Sequence, residues 1–326
     1  MQAAIVSLGC AFSAYRSFVG GESIVDIRSR TRPVHVRHRL MATIADYVSL
    51  TKPRIVVVLL LTAYGAMTGA SGRIPSIRLT VFTLLGLGMA AGGAHAVNMW
   101  YDRDIDPLME RTRNRPIPAG RIQPRVSLAM GLSMGAVSTI ILRASVNPLT
   151  AVLSLSGFLF YVLVYTFTLK RRTAQNIVIG GAAGAFPPLV GWAAVANHLS
   201  WTAWLMFLII FLWTPPHFWS LALFRADDYR RARVPMMPVV RGEETTKRQS
   251  VLYAGLLVVA TVMLTSARLG LVYLLIAGPL ALAFFGANLR LLREKLPDVQ
   301  WAKRTFALSV LFMSGVVVAM VLGIMM

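Results

Sequence analysis

The chain has 326 residues, 56% of them hydrophobic and only 14% charged, and it carries a formal net charge of +20. Soluble domains carry about 25% charged residues. This composition and a mean hydropathy of +0.63 exclude an ordinary soluble domain and indicate a membrane protein. The single cysteine, Cys10, excludes a disulfide framework and a thiolate metal cage.

The first 40 residues depart from the membrane pattern. A mildly apolar stretch at 3–19 precedes a basic stretch at 28–39, which is the reverse of the order in a signal peptide. Glu22 and Asp26 count against a mitochondrial transit peptide, so a bacterial cytoplasmic membrane is favoured over the mitochondrial inner membrane. We expect residues 1–40 to be a disordered extension, or Met41 to be the true start, and residues 41–326 to form one membrane-embedded domain.

Nine apolar segments are long enough, or nearly so, to cross a bilayer of about 30 Å at about 1.5 Å per residue. In chain order they are Ile55–Gly69, Leu79–Asn98, Val126–Leu142, Pro148–Leu169, Gln175–Ala196, Trp201–Leu223, Ser250–Ala267, Leu269–Leu292 and Phe306–Met326. They predict an all-α, polytopic membrane protein with nine transmembrane helices.

The charged residues predict how these helices are oriented. Of the 33 lysines and arginines, 29 lie in the N-terminal segment or in loops after even-numbered helices, and all 13 acidic residues lie on the same side. Because positive charge marks the cytoplasmic side, the N-terminus is predicted to be cytoplasmic and the C-terminus external. This asymmetry also accounts for the charge of +20 without a nucleic-acid partner.

Asn98, Asp102 and Asp106 follow the second apolar segment at intervals of four residues. On an α-helix this spacing places the three side chains on one face, whereas Asp104 points elsewhere. An amide and two carboxylates at a membrane surface are unfavourable unless a cation lies among them, and Mg²⁺ suits a few carboxylates with phosphate co-ligands. The alternative is a helix end that enters water, where acidic residues are common.

Three arginines follow this acidic triad. Arg111, Arg113 and Arg115 lie beyond Pro107, which disfavours helix at the residue before it. The planar guanidinium binds phosphate oxygens bidentately, so acids that hold a metal beside these arginines predict a diphosphate site. The alternative for each arginine is topological charge or contact with a lipid headgroup.

A second polar segment spans Phe224–Gly242 and contains the acidic pair Asp227 and Asp228. Two adjacent carboxylates repel each other unless a cation or an arginine compensates them. A second contact with a metal-bound diphosphate at the same membrane face would explain the pair. The alternative is a solvated loop with Arg225 and Arg230 as local partners.

Four segments resemble the UbiA superfamily of intramembrane prenyltransferases, and within it the protoheme IX farnesyltransferases, over roughly residues 46–326. Asn98–Ile122 is similar to their N-x-x-x-D-x-x-x-D followed by R-T-x-x-R-P-x-P-x-G, and Leu169–Gly181 is similar to K-R-x-T-x-x-N-I-V-I-G-G. Trp213–Trp219 is similar to W-x-x-P-H-F, and Asp227–Met236 to D-D-Y-x-x-A-x-V-P-M. The first motif is specific to the superfamily only, whereas the four together point to the farnesyltransferases. The sequence departs from many members at Phe224, where they carry a carboxylate four residues before the one that matches Asp228.

The resemblance implies that farnesyl diphosphate alkylates the 2-vinyl group of heme b to give heme O and diphosphate, with Mg²⁺ as the cofactor. It implies that the catalytic and metal-binding residues are Asn98, Asp102, Asp106 and Asp228. It implies that the diphosphate binds Arg111, Arg115, Lys170, Arg171 and Asp227. A heme A synthase would then act downstream, and both substrates would be reached from the lipid bilayer.

Two histidines are candidates for heme contact under this resemblance. His217 lies near the inner end of the sixth predicted helix, and His95 precedes Asn98 by three residues on nearly the same helix face. The alternative for His217 is to cap backbone groups freed by the two prolines before it. His95 could instead orient Asn98.

Two other functions stay open at this point. A related prenyltransferase that acts on a quinone precursor or a chlorophyllide would share the acidic motifs, although the segments around His217 and Met236 argue against it. A transporter is suggested by nine spans and by Gly180, Gly181 and Gly184. A transporter, however, is expected to place charge near the bilayer midplane, whereas every carboxylate here is predicted at a surface.

Overall fold

A computed structural model of the protein describes residues 36–266, 269–295 and 297–325. Every regular element in these ranges is helical. Contacts divide the chain into two units after Ala42, and the first helix, α1 (Val36–Leu50), begins before the predicted boundary at residue 40. The predicted extension otherwise lies outside the described residues.

Nine helices in the described part of the chain are long and apolar enough to cross a membrane, which confirms the predicted number. They are α2 (Pro53–Ser71), α3 (Ile77–Tyr101), α4 (Pro124–Ser145), α5 (Pro148–Leu159, extended by a π-helix over Phe160–Leu169), α6 (Asn176–Ala196), α7 (Trp201–Phe224), α10 (Gly242–Met263), α11 (Gly270–Arg293) and α12 (Gln300–Met325). Two short helices, α8 (Ala226–Arg231) and α9 (Met237–Val240), lie between α7 and α10.

Two helix starts differ from the prediction by more than two residues. Helix α10 begins at Gly242 rather than at residue 250, because Glu243 pairs with Lys247 and Glu244 with Arg248 within its first turns. Such i,i+4 ion pairs stabilise the first turns of this helix, which have no apolar periodicity from which a helix could be predicted. Helix α12 likewise begins at Gln300, ahead of its apolar part.

Close helix packing depends on glycines at two crossings. A Cβ added to Gly93 of α3 would lie 2.6 Å from the backbone oxygen of Gly131 in α4, and a Cβ at Gly191 of α6 would lie 2.1 Å from the oxygen of Ala63 in α2. Lipid tails are as apolar as the helices, so no hydrophobic force drives helices together in a membrane. Small residues instead let the two backbones approach closely, which strengthens van der Waals packing. These crossings hold α3 and α6 in place within the bundle.

The ends of three membrane-spanning helices meet at one end of the bundle. Lys170, which follows the π-helix, forms an ion pair with Asp102 at the end of α3. Asp228 in α8, just beyond α7, accepts a hydrogen bond from the backbone N–H of Glu110. The two polar segments predicted from the sequence therefore lie against each other.

Candidate functional site

The acidic triad lies at the end of α3, and the prediction about its helix was wrong in one respect. The α-helix ends at Tyr101, and two 3₁₀ turns at Asp102–Asp104 and Asp106–Leu108 continue the chain. The ring of Pro107 has no N–H and disfavours helical geometry at the residue before it, which explains the change of winding. The separation of the side chains holds nevertheless, because Asp102 and Asp106 are at most 2% exposed and the Asp104 side chain is 60% exposed.

Asp102 is the most enclosed carboxylate of the triad. Its Oδ2 accepts a hydrogen bond of 2.8 Å from the Asn98 amide and forms an ion pair with Lys170. Its Oδ1 lies 3.5 Å from a guanidinium nitrogen of Arg171 and accepts no hydrogen bond. A buried carboxylate oxygen without a hydrogen bond is unfavourable, so this atom is well placed to receive a further positive group.

Lys52 and Thr166 complete the surroundings of Asn98, and no sequence motif predicted either residue. Lys52 Nζ donates to Asn98 Oδ1 at 2.9 Å, and Asn98 Nδ2 lies 3.3 Å from Thr166 Oγ1. Lys52 precedes Pro53 at the start of α2 and has a left-handed backbone with φ of 50°. Burial and the nearby cations Arg115 and Lys170 hold the pKa of Lys52 well below its usual range.

Asp106 is held by one arginine of the first loop. Arg115 Nη1 donates to both carboxylate oxygens of Asp106, at 2.9 and 2.8 Å. The Thr112 hydroxyl donates to the backbone oxygen of Asp106 at 2.8 Å and folds the loop back on the 3₁₀ turn. Arg111, between them in sequence, is exposed.

The acidic pair of the second loop is divided between solvent and interior. Asp228 is 4% exposed, forms an ion pair with Arg231 through Oδ1, and receives the Glu110 N–H at 3.4 Å. Its Oδ2 is buried without a hydrogen-bond partner. Asp227 has a side chain that is 81% exposed and pairs with Arg230. Only the second aspartate therefore faces the first loop.

Arg171 joins the buried acid to the exposed one. It donates two hydrogen bonds of 2.7 Å to Asp104 and lies 4.4 Å over the ring of Tyr101. These hydrogen bonds raise the pKa of the Arg171 guanidinium above its already high value, so the group stays charged.

The two candidate heme-contacting histidines lie in different surroundings. His95, 6% exposed, is one turn below Asn98 on α3, with Nδ1 3.2 Å from the Tyr161 hydroxyl of the π-helix. His217 stacks between Trp213 and Phe306, and its Nδ1 lies 2.6 Å from Ser309 Oγ. His217 is thus tied to α12, a link that the sequence did not predict.

The predicted residues therefore gather into one polar cluster and two outlying groups. Asn98, Asp102, Lys170 and Arg171 are linked directly, whereas Asp106 with Arg115 and Asp228 with Arg231 form separate pairs beside them. Among the described side chains, no group of three or more His, Cys, Asp or Glu lies close enough to hold a metal ion. The donors are all oxygens, and Asp102 Oδ1 and Asp228 Oδ2 are buried without hydrogen bonds, which fits Mg²⁺.

The sequence is similar to one family of membrane enzymes over most of its length. The model of the UbiA prenyltransferase family matches residues 59–316. A protoheme IX farnesyltransferase of Symbiobacterium thermophilum is 53% identical over 291 residues, covering 88% of this chain and 97% of the relative. One of Gloeobacter violaceus is 50% identical over 284 residues, covering 86% and 92% respectively.

Solved structures share the fold at low sequence identity. A digeranylgeranylglyceryl phosphate synthase has a TM-score of 0.72 at 16% identity, covering 87% of this chain and 99% of that one. A UbiA homologue from Archaeoglobus fulgidus bound to DMAPP and Mg²⁺ has a TM-score of 0.62 at 18% identity, covering 85% and 99%. These likenesses confirm the predicted all-helical architecture.

Proposed function

The chain belongs to the UbiA prenyltransferase family, and from this premise we propose that it transfers the farnesyl group of farnesyl diphosphate to the 2-vinyl group of heme b, giving heme O and diphosphate. Relatives about half identical over nearly the whole chain are protoheme IX farnesyltransferases, which supports this choice of substrates. The observation that carries the proposal is the cluster of buried Asn98 and Asp102 with the half-buried Lys170 at one end of an apolar bundle.

Asn98, Asp102, Asp106 and Asp228 would hold Mg²⁺ together with the diphosphate. The oxygen-only donor set and the two buried carboxylate oxygens without hydrogen bonds support this assignment. When bound, Mg²⁺ supplies charge neutralisation for the departing diphosphate. The A. fulgidus homologue with Mg²⁺ and DMAPP has the same fold, which is consistent with this arrangement.

The basic residues around the acids would bind the diphosphate itself. Lys170, Arg171 and Arg115 already lie within ion-pair distance of the carboxylates, so phosphate oxygens held there would meet the same cations. Guanidinium forks contact two phosphate oxygens at once and orient the leaving group. Arg111 and Asp227 are both exposed, and they would contact the diphosphate as it enters or leaves, Asp227 through its partner Arg230.

The apolar bundle would shield the reaction from water. As the bond between C1 of the farnesyl group and the diphosphate breaks, C1 acquires positive charge and would react with bulk water if exposed. The interior near α6 and α7 is lined by apolar side chains such as Met206, Ile210 and Met313. The vinyl group of heme is then the nucleophile that the site presents.

His217 and His95 would contact the heme. His217 is braced by Ser309 and by two aromatic rings, which fixes the imidazole plane. His95 lies one turn before Asn98 on α3, so it would lie near the reacting carbon if the diphosphate binds at Asn98 and Asp102. The porphyrin would therefore reach from the α7–α12 contact toward α3.

The charge asymmetry and the bacterial relatives support a cellular setting. We place the protein in a bacterial cytoplasmic membrane, with the N-terminus and the diphosphate site on the cytoplasmic side and the C-terminus external. Both substrates would enter from the bilayer or its surface. Heme O would pass to a heme A synthase, and no nucleic-acid partner is expected.

Purified full-length protein tests the proposal directly. With Mg²⁺, heme b and farnesyl diphosphate, we expect a heme carrying a hydroxyethylfarnesyl group, identified by mass, and chelation of Mg²⁺ should abolish its formation. Turnover of a phenolic acceptor in place of heme b, or farnesyl transfer that survives chelation, would contradict the proposal.

A further inference from the structure

Formation of the hydroxyethylfarnesyl group requires a water molecule at one position and at one moment. When the vinyl π electrons form the bond to farnesyl C1, the C1–oxygen electron pair leaves with the diphosphate. Positive charge remains on the vinyl carbon that is attached to the porphyrin. Water must then add its oxygen to that carbon and lose a proton, or the carbon next to it loses a proton and an alkene results.

His95 lies deeper in the bundle than the proposed diphosphate ligands Asn98 and Asp102. It precedes Asn98 by three residues on α3, and at about 1.5 Å per residue its ring is roughly 4–5 Å deeper in the bundle. If the diphosphate binds beside Asn98 and Asp102, farnesyl C1 and the vinyl carbons lie directly below it. The imidazole is thus within reach of the carbon that accepts water.

The contacts of His95 leave one nitrogen available. Its Nδ1 lies 3.2 Å from the Tyr161 hydroxyl, and the two rings meet edge to face at a centroid distance of 5.1 Å. Its Nε2 is buried and has no hydrogen-bond partner. When Nδ1 carries the proton and donates a hydrogen bond to the Tyr161 oxygen, Nε2 presents a lone pair to the interior.

The neighbouring carboxylates already form ion pairs, so they are less suited than His95 to accept a proton from water. Asp102 forms an ion pair with Lys170, and Asp106 forms one with Arg115, as suits groups that hold a metal-bound diphosphate. His217 presents its Nδ1 to Ser309 on a different helix pair, and His198 has Nδ1 2.9 Å from the Ala196 oxygen beyond the far end of α6.

From this placement we infer that His95 Nε2 accepts a hydrogen bond from the water that captures the vinyl-derived cation and takes its proton. The carbon–oxygen bond forms as the oxygen–hydrogen bond breaks, and the proton then passes to the released diphosphate or to solvent. No oxidant or reductant is needed. Tyr161 positions the ring through its contact with Nδ1. The inference rests on the proposed farnesyl transfer to heme b.

The ratio of two products tests this role separately from the transfer itself. Full-length wild-type and His95→Gln proteins, purified with their lipids or in nanodiscs, would be given Mg²⁺, heme b and farnesyl diphosphate. General bases contribute roughly 10²–10⁴-fold. We therefore expect His95→Gln to raise the ratio of the alkene product, lighter by one water, to the hydroxylated product by at least about tenfold. Carbon–carbon bond formation should remain measurable at saturating heme b, although loss of the His95 contact should raise the KM for heme b.

Two further variants separate this role from a structural one. Tyr161→Phe removes only the hydroxyl, so the same ratio should rise by a smaller factor even if the glutamine variant fails to fold. His198→Gln is the matched control and should change neither the rate nor the ratio, because that side chain is exposed at the opposite end of the bundle.

Each outcome decides between the possibilities. A lower total rate with an unchanged product ratio in both the His95→Gln and Tyr161→Phe proteins would overturn the role of His95. A shift in ratio with His217→Gln but not with His95→Gln would assign the base to the other histidine. A wild-type protein that makes no farnesylated heme of either kind would overturn the proposed function, and this inference with it.

Discussion

Replacing Asp102 by asparagine, with Asp104→Asn as the matched control, tests whether the buried face of the acidic turn carries the chemistry. Asparagine keeps the size and one acceptor oxygen of the aspartate but removes its charge. Asp102 is fully buried, and it neutralises Lys170 and receives the Asn98 amide. Asp104 is largely exposed and has Arg171 as its partner.

The expected losses differ because the surroundings differ. Removing one group that stabilises developing charge lowers kcat by roughly 10²–10³-fold, or about 2.7–4 kcal/mol. Asp102→Asn also leaves Lys170 uncompensated, and breaking a buried ion pair destabilises a protein by about 3–5 kcal/mol. An exposed pair contributes about 0–1 kcal/mol, so Asp104→Asn should keep turnover within about fivefold of wild type.

The assay measures initial rates of farnesylated heme formation at saturating Mg²⁺ and both substrates, with product identified by mass. Gel filtration and the thermal unfolding midpoint of each variant separate loss of fold from loss of chemistry. An equal loss of turnover in the two variants, with both proteins folded, would refute the conclusion that only the buried side chain takes part in the reaction. So would an Asp102→Asn protein that retains turnover close to wild type.

Three further changes probe other parts of the structure. Asp228→Asn should lower turnover by roughly 10²-fold because its carboxylate faces the first loop, whereas Asp227→Asn, at an exposed position, should stay within about fivefold by the same assay. Ser309→Ala removes the partner of His217 Nδ1, and since one hydrogen bond contributes about 0.5–1.5 kcal/mol, the KM for heme b should rise roughly 2- to 10-fold with kcat nearly unchanged. Gly93→Leu places a side chain against a backbone oxygen 2.6 Å away and should abolish recovery of monodisperse protein in gel filtration.

The last two changes have their own controls. Ser138→Ala removes a buried hydroxyl that donates to the Gly86 oxygen in the α3–α4 contact and touches neither His217 nor Ser309, so it should leave the KM for heme unchanged. Gly286→Ala adds a methyl group where nothing lies within 4 Å and should be recovered as wild type is. A heme KM unaffected by Ser309→Ala would separate His217 from heme binding, and normal recovery of Gly93→Leu would show that the helices can move apart.

Sequence patterns predicted most of the fold because the membrane imposes two strong rules. A span needs a long apolar run, and basic residues collect on one side, so the number of helices was predicted correctly. The resemblance to the UbiA family rested on the four motifs instead, and the family model confirms it. The start of α10 was missed because its first turns are stabilised by ion pairs such as Glu243–Lys247 rather than by apolar periodicity. Lys247 also donates to the backbone oxygen of Glu294, a contact 47 residues away in sequence.

The π-helix after α5 could not be predicted from the sequence either. Residues 148–169 read as one continuous apolar helix, yet from Phe160 onward the backbone winds more widely. The wider turn directs Tyr161 to His95 and Thr166 to Asn98. Such a segment is frequent at functional sites, since it re-aims side chains that a regular α-helix would place elsewhere.

The charge balance of the site explains why spacing along one helix was insufficient to describe it. A sequence motif shows Asn98, Asp102 and Asp106 together, but buried carboxylates require cations, and these come from distant parts of the chain. Lys52 reaches Asn98 from the start of α2, and Lys170 reaches Asp102 from the end of the π-helix. A site that binds Mg²⁺ with diphosphate must accommodate two charge-rich groups of opposite sign. Interleaved acids and bases meet that requirement, because each carboxylate can turn to the metal while its former cation turns to a phosphate oxygen.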